Sequence, residues 1–274
     1  MSDLLADVSP VSLERGVKAN LYAFLKLLGR SPAAAFVEEG PLFSWHTPIP
    51  NAWFNGVLAS GRAPDAAGCL VADRLAYFQE RGVEAVSWWL EPQVEATEWE
   101  PYLLRAGFGA DDRTPGMAVD LSKLRAPAEE PDGLEVLLVD DDVALRAWIP
   151  LFLAGFGLPA TLFGSMVELF TGLGLGLPVR HYLGHLDREP VATSTLFLGA
   201  GVAGIYNVTT VAEARGRGIG TALTLAPLRD AQVLGYKVGI LQSSEMGFSV
   251  YQQLGFEQVC AVSYYAWRQN TAPS

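Results

Sequence analysis

Ile205-Tyr206-Asn207-Val208-Thr209-Thr210-Val211, followed by Arg215-Gly216-Arg217-Gly218-Ile219-Gly220, is the stretch that decides the fold. A β-branched run, a glycine-rich turn and a helical run starting near Ile219 make strand, turn and helix N-terminus in that order. Glycines let the backbone turn sharply and come close to a ligand. The first helical N–H groups have no partner within the helix, and the helix dipole favours negative charge there. Such a start is an anion site suited to a phosphate group. Two arginines reinforce it in a chain whose formal net charge is -11. The ending Gly-Lys-Ser/Thr of a Walker loop is absent, and Gly216-x-Gly218-x-Gly220 lacks the spacing of a dinucleotide fingerprint.

The chain has 274 residues, 50% of them hydrophobic and 18% charged, enough for a large core in one or two domains. Its acidity argues against nucleic acid as a partner. The two cysteines, Cys69 and Cys260, have no metal spacing, and no disulfide framework can be drawn, which points to a reducing, cytoplasmic setting. The N-terminus lacks a basic segment, so no signal peptide is expected. The uncharged run from Ala147 to Val167 is long enough to cross a bilayer, but Pro150, Gly155, Gly157, Pro159 and Gly164 cut it into pieces suited to two buried helices. No membrane partner is expected.

Working outward, Leu134–Val139 reads as a strand, and Asp141–Phe156 and Pro159–Gly172 as helices. Val179–Leu186, Val191–Leu198 and Val202–Val211 read as strands leading into the glycine turn. The following helix contains Pro227 and stops at Gly235. Lys237–Leu241 is a strand, Met246–Leu254 a short helix, and Phe256–Trp267 one final strand. The first half echoes this order: helix Ala67–Arg81 ends at Gly82, strand Glu84–Leu90 follows, and Leu103-Leu104-Arg105-Ala106-Gly107-Phe108 leads into strand Met117–Leu121. The expected division is a degenerate domain at 1–124, a linker at 125–133 and a second domain at 134–274. Alignment of the halves puts Arg62-Ala63-Pro64-Asp65-Ala66-Ala67 on Arg215 to Gly220, with both key glycines lost. Asp65 would repel an anion and Pro64 removes a donor.

Over about half its length, Leu134 to Trp267, the chain resembles the GNAT superfamily of acyl-CoA-dependent N-acyltransferases. The motif is Arg215-x-x-Gly218-x-Gly220, supported by Tyr251 ahead of Leu254-Gly255-Phe256. The resemblance implies an α/β (α+β) fold of two GNAT-like domains, each a mixed, mostly antiparallel sheet flanked by helices. It implies that acetyl-CoA, as co-substrate, lays its pyrophosphate on Gly216, Arg217, Gly218, Ile219, Gly220 and Thr221, beside Arg215. The pantetheine arm would run along Val208, Thr209 and Thr210, with an N–H near Thr210 facing the oxyanion. Tyr251 would hydrogen-bond the departing sulfur. Ser244 stands where many relatives carry a cofactor-binding asparagine. Glu245, Asn207 and Tyr206 are candidate bases, Asn207 only by positioning water.

The implied reaction is acyl transfer to a small-molecule amine. Alternatives are an acyl-CoA sensor or scaffold without turnover, and N-acetylation of a protein or peptide. No metal is expected: His181 and His185 lie four apart on a strand, not a helix, and read as structural or exposed. Trp45, Trp88 and Trp89 read as the first domain's core or the domain seam, with an aromatic substrate platform as the alternative. The apolar helices between Ala147 and Phe170 read as core packing, with the acceptor pocket they border in this family as the alternative.

Overall fold

In the computed structural model the protein is described over residues 4–91, 94–111, 113–127 and 130–269. Helix α1 (Pro10–Gly29) comes first, then strands β1 (Ala35–Glu39), β2 (Leu42–His46) and β3 (Gly56–Ala59). Helix α2 (Ala67–Gln79), strand β4 (Ala85–Leu90), helix α3 (Ala96–Arg105) and strands β5 (Gly109–Ala110) and β6 (Thr114–Asp120) follow. The later half holds β7 (Leu134–Val139), α4 (Asp142–Gly155), α5 (Phe163–Leu173), β8 (Val179–Leu186), β9 (Glu189–Gly199) and β10 (Val202–Thr210). It ends with α6 (Ile219–Val233), β11 (Val238–Gln242), α7 (Glu245–Gln253), β12 (Glu257–Val262) and β13 (Tyr265–Arg268). The sequence-based elements from Leu134 onward match this order, except that the expected final strand is two strands.

The strands form two mixed, mostly antiparallel sheets flanked by helices. One has seven strands in the order β12-β6-β11-β10-β9-β8-β7, the other six in the order β1-β2-β3-β4-β13-β5. The chain divides into two compact units, Met1–Phe24 with Thr114–Ala261, and Leu25–Arg113 with Val262–Ser274. This division departs from a single cut at 125–133, a segment of which Ala128 and Glu129 lie outside the described residues. The reason is strand partnership. β6, from the first half, pairs antiparallel with β11, from Val238↔Asp120 to Gln242↔Gly116. β13, at the end of the chain, pairs with β4, from Tyr265↔Trp88 to Arg268↔Ala85. The extended run after Phe256 breaks at Ser263 and Tyr264 because its two parts serve different sheets.

Each unit has its own core. In the seven-stranded unit, Leu196, Ile205, Leu223, Leu228 and Leu241 join sheet to helix α6. A leucine buried in this way contributes about 1.5–3 kcal/mol relative to leaving it exposed. Gly184 lets α6 approach closely, since a Cβ there would stand 2.8 Å from Leu223 Cδ2. Pro227 is buried inside α6, which continues through it to Val233. On the opposite face of the sheet, Trp148 and Phe152 of α4 stack at 5.1 Å, and Phe170 of α5 meets Trp148 edge-on. The apolar run from Ala147 thus folds into two packed helices, as its prolines and glycines predict. Among the described residues no helix is long and apolar enough to cross a membrane. In the six-stranded unit, Trp45, Trp88, Trp89 and Trp99 are fully buried.

Candidate functional site

The site is built where β10 leaves β11. The two strands pair in parallel only over Ala203↔Gly239, Gly204↔Ile240 and Ile205↔Leu241. Beyond Ile205, β10 continues to Thr210 with β9 as its one strand partner among the described residues, so its other main-chain edge can pair with an amide-bearing ligand up to the Thr210 carbonyl, which accepts from Arg215. A bulge causes the turn-away: Asn207 and Val208 stand opposite the single residue Ser194, between the pairs Tyr206↔Thr195 and Thr209↔Thr193. Asn207 takes φ 55°, a left-handed conformation uncommon outside glycine. Thr193 Oγ1 donates to the Asn207 carbonyl at 2.7 Å, and Asn207 Nδ2 donates to Thr195 Oγ1 at 3.1 Å.

Beyond the strand, Gly216 and Gly218 adopt φ 74° and 77°, and Gly218 is the left-handed cap of α6. These conformations explain both glycines, since a Cβ would strain each of them. The first helical bond runs from Ala222 N–H to the Gly218 carbonyl at 3.1 Å, which leaves earlier amides to face outward. A Cβ on Gly216 would meet nothing within 4 Å, and one on Gly220 only Thr210 Oγ1 at 3.9 Å. Arg215 and Arg217 are exposed, and Arg215 Nε donates to the Thr210 carbonyl at 3.0 Å. The loop is open, positively flanked and lined with main-chain donors, so its residues fit a diphosphate. Val208, Thr209 and Thr210 lie on the free stretch of β10, and Ile219 is buried, anchoring the helix start.

Tyr251 lies on α7, its ring against Phe256 and above Gly247, where a Cβ would come within 2.8 Å of Tyr251 Cε2. Burial pushes the phenol up to about 12, against a hydrogen bond with Thr224 that works the other way. Thr224 Oγ1 itself donates to the Gly220 carbonyl at 2.8 Å. Ser244 is the cap of α7, its Oγ accepting from Gly247 N–H at 3.2 Å. Glu245 is exposed in the first turn of α7.

Two base candidates fare differently from their sequence reading. Tyr206 is buried, stacks on Phe24 at 4.4 Å and donates to Asn20 Oδ1 at 2.7 Å, and burial drives its pKa well up. A phenol spent in this way does not serve as a base. The Asn207 amide nitrogen is committed to Thr195, so its contribution begins with backbone geometry. His181 Nδ1 lies 2.8 Å from the same Thr195 Oγ1. Thr193 and Thr195 alternate along one face of β9, the one signal in the sequence that marks this polar row.

His181 is fully buried, and desolvation lowers its pKa to about 3. As pH falls, the unfolded chain takes up this proton near 6.5 while the folded protein refuses it until about 3. Stability is therefore lost progressively below pH 6.5. Denaturant unfolding at pH 7 and pH 4.5 should show wild type losing ~2.7 kcal/mol more than His181→Phe, two pH units at ~1.36 kcal/mol each. Equal losses would contradict this account.

The corresponding region of the six-stranded unit is closed. β3 and β4 stay paired through Ala59↔Leu90, and Glu91 N–H bonds the Ala59 carbonyl at 3.0 Å. Glu98 of α3 points its carboxylate at the loop before α2, accepting from Ala63 N–H at 3.2 Å and Arg62 Nε at 3.0 Å. An internal carboxylate occupies the loop that aligns with the glycine turn.

No protein-family model matches the sequence, and no curated protein matches it in sequence. Solved structures match in fold. A GCN5-related N-acetyltransferase from Kribbella flavida superposes with TM-score 0.67 at 20% identity, covering 90% of this chain and 95% of that one. A tandem GNAT protein from the clavulanic acid biosynthesis pathway gives 0.61 at 16% identity, covering 98% and 97%. A GCN5-related N-acetyltransferase from Sphaerobacter thermophilus gives 0.60 at 17% identity, covering 95% and 93%. Together with the two mixed sheets, these likenesses give the chain the fold of two GNAT-like domains.

Proposed function

We propose that the unit holding β10 and α6 transfers an acetyl or short acyl group from acyl-CoA to a small-molecule amine, and that the other unit binds no acyl-CoA. The observation that carries this reading is the combination of the free edge of β10 with the open amide loop at the start of α6. Main-chain amides of Gly216 to Thr221 hold the diphosphate, and Arg215 and Arg217 supply charge. Val208, Thr209 and Thr210 pair with the pantetheine amides. Acyl-CoA brings the activated thioester; the protein brings alignment. The acceptor nitrogen bonds to the carbonyl carbon, the carbon–sulfur bond breaks, the sulfur takes the electron pair, and one proton leaves the nitrogen.

Tyr251 faces this chemistry as a neutral donor. With its phenol near 12 and a thiol near 8.5, full proton transfer to the thiolate is uphill by roughly 5 kcal/mol. Tyr251 therefore acts by hydrogen bonding to the developing charge, and the proton that ends on sulfur comes through solvent or the acceptor. Glu245, exposed at the start of α7, and Ser244 beside it lie on the loop that follows β11, which supports a role for them at the ligand.

Titration calorimetry with acetyl-CoA, coupled to release of free thiol over an amine panel and a peptide panel, tests the reading. The expected result is binding with Kd between about 1 µM and 1 mM and thiol release with an amine. Absence of heat overturns it. Heat with thiol release only from peptides reassigns the acceptor, and heat with no release from either panel makes the protein a sensor.

A further inference from the structure

His181 is an expensive residue for its place. It sits on β8 between the rings of Trp148, at 4.9 Å, and Phe170, at 5.1 Å and nearly perpendicular. Its side chain is wholly buried, and Nε2 meets no hydrogen-bond partner among the described residues. A phenylalanine would fill an aromatic box of this kind without desolvating two ring nitrogens. The single polar contact that distinguishes the imidazole is Nδ1 to Thr195 Oγ1 at 2.8 Å. His181 and Thr195 are register partners across β8 and β9, and Thr195 is in turn the register partner of Tyr206, the residue before the bulge.

The polar contacts along this row are continuous. Asn207 Nδ2 donates to Thr195 Oγ1, and the same oxygen lies 2.8 Å from His181 Nδ1, a hydrogen bond whose direction follows the tautomer of the ring. Thr193 holds the Asn207 carbonyl from the same strand. Both ends of a left-handed, non-glycine residue are thus gripped from β9, and strain of this kind persists where neighbours over-determine it.

We propose that His181 is a positioning residue for acyl transfer: through Thr195 it holds Asn207 in the bulge that turns the free edge of β10 toward the thioester. This rests on the acyltransferase reading for its effect on turnover, though the bulge itself can be followed without it. Neutral throughout the working pH range, His181 is no base; it supplies one hydrogen bond at a fixed place.

Four variants and two readouts test it. His181→Phe keeps the aromatic volume and deletes the hydrogen bond to Thr195. His181→Asn offers a side-chain amide near the Nδ1 position. Asn207→Gly adopts the left-handed conformation unaided, and Thr195→Val breaks the row in the middle. In the protein alone, amide hydrogen exchange over residues 206–210 should quicken at least tenfold in His181→Phe and Thr195→Val, and return toward wild type in His181→Asn. With acetyl-CoA and an accepted amine, His181→Phe should lose at least tenfold in kcat with Kd for coenzyme A within threefold. In the Asn207→Gly background, His181→Phe should change kcat less than twofold. Unchanged exchange in His181→Phe overturns the proposal, as does an equal kcat loss in both backgrounds. If His181→Phe does not fold, Thr195→Val and His181→Asn carry the same comparison. If wild type neither binds nor turns over acetyl-CoA while exchange behaves as described, the acyltransferase reading fails and the role in shaping β10 stands.

Discussion

Gly220→Asp should abolish coenzyme A binding and leave the fold intact. Gly220 is the second residue of α6, and a Cβ there meets only Thr210 Oγ1 at 3.9 Å, so the side chain has room. A carboxylate in the first turn of a helix is favoured by the helix dipole by about 0.3–1 kcal/mol, and replacing a helical glycine adds a similar gain. Melting temperature should hold or rise. The ligand meets the opposite situation. A carboxylate about 4 Å from a diphosphate oxygen, at an effective dielectric near 20, repels it by about 4 kcal/mol. Affinity should fall at least 100-fold by calorimetry, and Gly220→Asn should recover most of it by removing charge at constant size. Binding within threefold of wild type in the aspartate variant would remove the α6 loop from the site. The six-stranded unit already shows the arrangement, with Glu98 set against the loop before α2.

The second large effect belongs to turnover. Tyr251→Phe keeps the ring against Phe256 and over Gly247 and deletes only the hydroxyl. A hydrogen bond to a developing charge is worth about 1.5–3 kcal/mol, so kcat should fall ~10- to 100-fold. Affinity for coenzyme A should move less than threefold, because the proposed diphosphate grip lies on α6. The pH dependence decides how the hydroxyl acts. Burial holds the phenol near 12, so its protonated form persists from pH 6 to 10, and the variant should keep the shape of the wild-type profile over that range. A falling limb near pH 9 that disappears in Tyr251→Phe would mean that the tyrosine ionises during turnover. Unaltered kcat would remove it from the mechanism.

Much of the site could be read directly. The glycine turn, the strand before it, the helix after it and the tyrosine helix all lie where their residues predict. The two helices after Asp141 do so as well. Departures cluster at strand partnership. Phe256–Trp267 reads as one extended run because its side chains favour that conformation throughout, yet its parts enter different sheets. Met117–Leu121 reads as the closing strand of the first half, yet it pairs with β11. Side-chain pattern gives a strand's faces; every residue offers the same main-chain groups at its edges, so the pattern does not name the neighbour.

By itself, then, the sequence determined what is local: that Gly216 and Gly218 make a tight turn, that α6 begins there, and that the aligned loop at Arg62 to Ala67 has lost the glycines. Backbone conformation and helix starts depend on adjacent residues, which is why they survive in a string of letters. Only the tertiary structure decided what is distant: β6 and β13 as sheet partners, Glu98 against Ala63, and His181, Thr195 and Asn207 in one row. Those contacts join residues from 12 positions apart, for Thr195 and Asn207, to 183, for Ala85 and Arg268. Such pairs meet only after the sheets have formed, and no spacing along the chain encodes which polar groups will then face each other.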